Sequence, residues 1–167
     1  MPLWLIGMMG AGKSVAGRAM ATRLGVEFVD TDEAVEQAAG RSLPAIWEEM
    51  GEERFRVLER NAVERASTLS MAVVATGGGV VLHQPNVALM RESGPVVWLD
   101  ATTDTLAQRI GLLEGRPLLA SSDRLGRLAE LAAVRRPLYA AAAHHCLNTE
   151  SKTIDEVVDE LETLWTA

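Results

Sequence analysis

Residues 5 to 18 read LIGMMGAGKSVAGR, and this short segment restricts the fold more than any other part of the chain. Gly7, Gly12, Lys13 and Ser14 occupy every fixed position of the phosphate-loop pattern G-x-x-x-x-G-K-[ST]. The pattern works only between a strand and a helix. Glycines let successive backbone N–H groups turn inward, and the helix that follows brings its positive end to the same point. The apolar run at 3–6 and the helical pattern from residue 13 supply that setting. Lys13 is then placed to bridge β- and γ-phosphates, with the Ser14 hydroxyl available to Mg²⁺. The loop points to a bound nucleotide and leaves open what receives the phosphate.

Short apolar runs recur along the chain at 26–30, 71–77, 95–100 and 144–148. Helical patterns fall between them, at 13–24, 33–39, 42–50, 52–68, 84–92, 102–110, 124–143 and 154–165. This alternation predicts an α/β fold whose parallel sheet is covered on both faces. At 167 residues, with no repeat or linker, the chain reads as one domain, 1–167. Pro137 predicts a kink or break in the 124–143 helix, and residues 111–123 read as a long connecting loop of the kind that forms lids.

Composition narrows the functional classes. No apolar run approaches ~20 residues and no basic leader precedes the first strand, so neither a membrane span nor a signal peptide is expected. The single cysteine, Cys146, fits a reducing, cytoplasmic setting. A net charge of −7 argues against a nucleic-acid surface. Of 16 Lys and Arg residues only Lys13 and Lys152 are lysines, leaving 14 arginines. Arginine must therefore hold most anions outside the phosphate loop, and its fork suits carboxylates and phosphates. A guanine-specific motif is missing, because Lys152 is followed by Thr153 and Ile154 with no aspartate in place.

Several residues are candidates for the acceptor and metal sites. Asp30 and Asp100 each end a strand and can supply a carboxylate to Mg²⁺, or simply cap the next helix. In the DTD stretch an extended backbone puts Asp30 and Asp32 on one side, so that Asp30 serves the metal while Asp32 reaches an acceptor hydroxyl. Arg56, Glu59 and Arg60 share neighbouring faces of a helix, which makes either a solvated, salt-bridged surface or a cation near the apolar Trp47 and Phe55. Gly77, Gly78 and Gly79 follow a strand, where open sheets bind ligands. Arg116 lies in the long loop, while Arg135 and Arg136 precede Pro137, where either can also serve a helix end.

Taken in order, GMMGAGKS, FVDTD, IWEEMGEERFRVLE, TGGG, RPLL and RRPLY resemble shikimate kinase from residue 5 to about 140. The resemblance implies a P-loop kinase fold, a five-stranded parallel sheet of order 2-3-1-4-5 with helices on both faces. The implied reaction is transfer of the ATP γ-phosphoryl group to the 3-hydroxyl of shikimate, with Mg²⁺, in chorismate and aromatic amino-acid synthesis. Gly10, Ala11, Gly12, Lys13, Ser14 and Val15 would wrap the phosphates, with Ser14 on the metal and Asp30 supporting it through water. By the same resemblance Asp32 is the base, Arg56 and Arg135 clamp the substrate carboxylate, and Gly77 to Gly79 contact the ring hydroxyls. Arg116 would reach ATP and Arg109 would lie against the adenine, while Trp47 replaces the usual phenylalanine wall. Substrate binding is expected at about 31–60 and the lid at about 111–123, in a monomer.

The chain departs from the family in its apolar GLLEG before Arg116 and in LNTESKT, where Lys152 is a candidate for the adenine site. His144, His145 and Cys146 read as structural, and His83 has no assigned role. Two other readings stay open: another small-molecule kinase of the gluconate type, and a non-catalytic ATP-binding module.

Overall fold

The computed structural model describes residues 1–111 and 124–166. Five strands form one parallel sheet: β1 (Leu3–Ile6), β2 (Glu27–Asp30), β3 (Ala72–Ala75), β4 (Val96–Asp100) and β5 (His145–Asn148), in the order β2-β3-β1-β4-β5. The expected order is the observed one. Among the described residues seven helices cover it: α1 (Lys13–Leu24), α2 (Thr31–Ala39), α3 (Leu43–Ser67), α4 (Gln84–Ser93), α5 (Thr103–Gly111), α6 (Arg124–Ala142) and α7 (Ile154–Thr166). A 3₁₀ turn at Val80–Leu82 links β3 to α4. Among the described residues, no helix is long and apolar enough to cross a membrane.

Central β1 has neighbours on both edges and helices on both faces, so its LWLI can be wholly apolar and wholly buried. The edge strands β2 and β5 are more exposed. Sheet order also places the functional loops. The phosphate loop leaves β1 and the triple glycine leaves its neighbour β3, while the Asp30 end of β2 lies beside them. All three open at the C-terminal edge where the order of strands reverses, the crevice in which open α/β sheets bind ligands. A small second core of Val35, Ile46, Phe55, Leu58 and Ala62 joins α2 to α3.

Three expectations change. The chain does not stay extended through Asp32, because the Asp30 carboxylate accepts the amides of Asp32 and Glu33 and starts α2 at Thr31. Strand β3 ends at Ala75 and not at residue 77, although Thr76 still donates its amide to Leu5 at 3.1 Å. Pro137 does not break α6. Its ring fits a helical φ, and buried Leu128, Ala132, Tyr139 and Ala142 hold the helix to the core on either side of the missing N–H. The division expected between 50 and 52 is present: Gly51 takes φ 81° inside α3, a backbone angle that favours glycine.

At the far end of the sheet, His144 Nδ1 accepts the Val96 amide at 3.0 Å, while Arg91 donates to the Ala142 carbonyl at 2.8 Å at the end of α6. Burial, then the Arg91 and His145 charges, hold the His144 pKa below that of a free histidine. The unfolded chain therefore binds this proton first, and its stabilising contribution is lost as pH falls below about 6.5. We expect the Tm gap between the wild type and His144→Asn to shrink as thermal melts move from neutral into acidic buffer. A gap independent of pH would contradict this.

Candidate active site

The phosphate loop is wedged between β4 and α5. A Cβ on Gly7 (φ 142°) would lie 2.4 Å from the Leu99 carbonyl oxygen, and one on Gly10 (φ 80°) 2.9 Å from that of Leu106. These positions require glycine for space and for backbone angle together. Lys13 is 8% exposed, and its Nζ donates to the Gly7 and Met8 carbonyls at 2.9 Å each. The first turn of α1 carries no acidic residue and its Gly12 cap offers no side chain. Its early amides and positive end are thus left to an anion. Ala11 is buried under the loop and Val15 is 60% exposed beside it.

Ser14 Oγ donates to Asp30 Oδ2 at 2.6 Å, while Asp30 Oδ1 caps α2. Asp30 therefore caps α2 with one oxygen and holds the Ser14 hydroxyl with the other. Among the described residues no group of three or more His, Cys, Asp or Glu gathers as a metal cage. One hydroxyl and one carboxylate at a phosphate-binding helix suit Mg²⁺, which keeps waters and takes phosphate oxygens as its other ligands. Asp100 is engaged elsewhere, in an ion pair with Arg136 at 3.0 Å.

Beyond the phosphate loop lies a cavity of about 240 Å³. Each glycine of the triple-glycine loop abuts one candidate side chain. Positions for a Cβ lie 2.5 Å from Asp32 Oδ1 at Gly77, 3.4 Å from Arg135 Nη1 at Gly78 and 3.3 Å from Arg56 Nη1 at Gly79. One carboxylate and two guanidiniums are thereby drawn against bare backbone. Asp32 enters from the first turn of α2, Arg56 from α3 and Arg135 from α6.

Arg56 belongs to the pocket and not to a solvated face. Its Cζ lies 5.2 Å from the Phe55 ring centre and 5.8 Å from that of Trp47, and these two rings pack 5.1 Å apart. Arg60, by contrast, pairs with Glu64 at 2.8 Å at the half-exposed surface. Arg135 is 7% exposed, whereas its neighbour Arg136 turns toward Asp100.

Thr31 and Tyr139 escaped the sequence reading, and Glu59 was read there only as part of a helix face shared with Arg56 and Arg60. Glu59, 2% exposed, accepts from Arg56 at 2.9 Å. Burial pushes its carboxyl pKa up, opposed chiefly by Arg56, then by His83 and Arg135. Thr31 Oγ1 accepts the Gly77 amide at 3.1 Å, and Tyr139 donates to the Gly78 carbonyl at 2.5 Å. Glu59 and Tyr139 stand three and four residues after Arg56 and Arg135, so helical spacing was the available signal.

On the other side of the phosphate loop, Arg109 donates to Thr149 Oγ1 and to the Thr149 carbonyl, both at 3.0 Å, and to the Gly10 carbonyl at 3.4 Å. It thus ties α5 to the loop and to the segment after β5. Lys152 is paired with Glu160 of α7 at 2.5 Å. Of the lid expected at about 111–123, Gly111 ends α5, and Arg116 with the rest of the segment lies outside the described residues.

The family model for shikimate kinase matches residues 9–165. The chain belongs to the shikimate kinase family. A shikimate kinase of Symbiobacterium thermophilum is 47% identical over 163 residues, covering 96% of this chain and 94% of the relative. The solved shikimate kinase from Acinetobacter baumannii, in complex with shikimate, superposes with a TM-score of 0.92 at 33% identity, covering 98% of this chain and 91% of that one. A gluconokinase from Sinorhizobium meliloti is similar in fold, with a TM-score of 0.60 at 17% identity over 99% of this chain and 93% of its own. Membership of the family makes the chain an ATP-dependent kinase that acts on an alcohol.

Proposed function

We propose that this chain transfers the γ-phosphoryl group of ATP to the 3-hydroxyl of shikimate, forming shikimate 3-phosphate and ADP. The observation that carries the assignment is the triple glycine meeting Asp32, Arg135 and Arg56 in one cavity beside the phosphate loop. A cyclic hydroxy acid presents the matching groups, a carboxylate for the two guanidiniums and hydroxyls for the aspartate and the glycine amides.

Phosphoryl transfer needs alignment and charge neutralisation more than a strong base. Arg56 and Arg135 grip the carboxylate and set the ring. Asp32 accepts the hydrogen bond of the 3-hydroxyl and takes its proton as the oxygen meets phosphorus. Gly10 to Val15 and Lys13 hold the departing phosphates, Arg109 borders the adenine, and Arg116 reaches the transferring charge. Ser14 and Asp30 would hold Mg²⁺, which supplies positive charge to the phosphate oxygens when bound. The chain works as one domain, with residues about 31–60 forming the acceptor side, and it acts as a monomer in the cytoplasm.

Gluconate is the rival acceptor, since a sugar acid also offers a carboxylate and hydroxyls. Coupled assay of ADP release from ATP and Mg²⁺ should show turnover that depends on shikimate and exceeds that with gluconate by at least roughly 100-fold. Faster turnover with gluconate, or ADP release indifferent to any acceptor, would overturn the assignment.

A further inference from the structure

We propose that Tyr139 is a positioning residue for acceptor binding: its hydroxyl fixes the Gly78–Gly79 peptide so that the Gly79 amide is offered to the substrate. The inference rests on the acceptor pocket assigned above. It follows from where each polar group of the glycine loop goes, since buried backbone donors and acceptors need partners. The Gly77 amide donates to Thr31 Oγ1 at 3.1 Å. The Gly77 carbonyl accepts from the Val80 amide at 3.2 Å and the Gly79 carbonyl from the Leu82 amide at 3.0 Å. The Gly78 carbonyl accepts from Tyr139 at 2.5 Å. This leaves the amides of Gly78 and Gly79, which face no acceptor among the described residues.

In a planar trans peptide the carbonyl and the following N–H point in opposite directions. Gripping the Gly78 oxygen therefore turns the Gly79 N–H away from Tyr139. Gly77, Gly78 and Gly79 line the acceptor cavity and Tyr139 does not, so the phenol holds the peptide from behind. Its own place is fixed. The side chain is fully buried, its ring packs on Trp98 at 5.9 Å, and Met8 Sδ lies 3.7 Å from the hydroxyl. Burial also keeps the phenol protonated, with its pKa pushed up to about 12, so it remains a donor at ordinary pH. One turn earlier, the same helix supplies Arg135. A single element thus sets both a guanidinium and a backbone donor of the pocket.

The test uses the full chain and Tyr139→Phe, which keeps the ring and removes the donor. We expect the KM for shikimate to rise about tenfold, the value of one neutral hydrogen bond, with the ATP KM changed less than twofold. Leu128→Ala, a buried change elsewhere on α6, serves as the destabilised control and should lower Tm without moving the shikimate KM. Two-dimensional ¹H–¹⁵N spectra add a readout of the loop itself. The Gly79 amide should shift on shikimate addition in wild type, and in Tyr139→Phe it should broaden or move before any ligand is added. An unchanged shikimate KM, an equal rise in both KM values, the same rise in Leu128→Ala, or an unmoved ligand-free Gly79 resonance would each overturn the proposal. No shikimate-dependent ADP release in wild type would count against the acceptor assignment alone, and the ligand-free spectrum would still decide the anchor.

Discussion

Asp32→Asn should lower kcat by roughly 10³-fold, within the range for removal of a positioned base, while ATP affinity stays close to wild type. The substitution keeps the side chain's volume, so the contact with Gly77, where a Cβ would lie 2.5 Å from Asp32 Oδ1, is preserved. It removes the acceptor of the hydroxyl proton. The nucleotide side is untouched because Asp30, and not Asp32, accepts from Ser14 at 2.6 Å. Steady-state kinetics together with titration of a fluorescent ATP analogue separates the two effects. Lost nucleotide binding with an unaltered chemical step would move Asp32 from the acceptor to the metal.

The second large effect belongs to Arg135. Arg135→Ala should raise the shikimate KM on the order of 100-fold, since truncating one partner of a desolvated charge pair costs several kcal/mol. Arg135 is 7% exposed and its guanidinium meets Gly78 at the wall of the cavity. The fold should survive, because buried Glu59 keeps its partner Arg56 at 2.9 Å. Full progress curves at several shikimate concentrations give KM and kcat separately. A KM equal to that of wild type would take Arg135 out of the carboxylate clamp.

Much of this architecture was readable from local pattern. Gly7, Gly12, Lys13 and Ser14 specify a strand–loop–helix by spacing alone, and β1 is a continuous apolar run because it is buried on both faces. The break in α3 was legible because Gly51 sits between two helical periods. The less legible features depend on contacts distant in sequence. DTD is compatible with a strand end and with a helix start, and the Asp30 side chain decides for the helix. Arg56, Glu59 and Arg60 look alike on a helix surface until the fold buries Glu59 beside Arg56, His83 and Arg135 and leaves Arg60 outside. Arg135 and Arg136 are adjacent, and only the sheet shows that Arg136 turns to Asp100. Pro137 failed as a breaker because buried contacts on both sides outweigh one lost hydrogen bond. Tyr139 and Thr31 were hidden for a different reason: their partners are backbone atoms of a glycine loop 61 and 46 residues away in sequence.

In the proposed reaction the cavity presents one particular hydroxyl of shikimate to the phosphate loop. NMR of the product, with ³¹P–¹H coupling read at each ring position, tests it most directly. The geometry predicts a single phosphomonoester on the 3-oxygen, formed together with ADP. Phosphate on another ring oxygen, a mixture of positions, or inorganic phosphate in place of an ester would contradict the arrangement of Asp32, Arg56 and Arg135 proposed here.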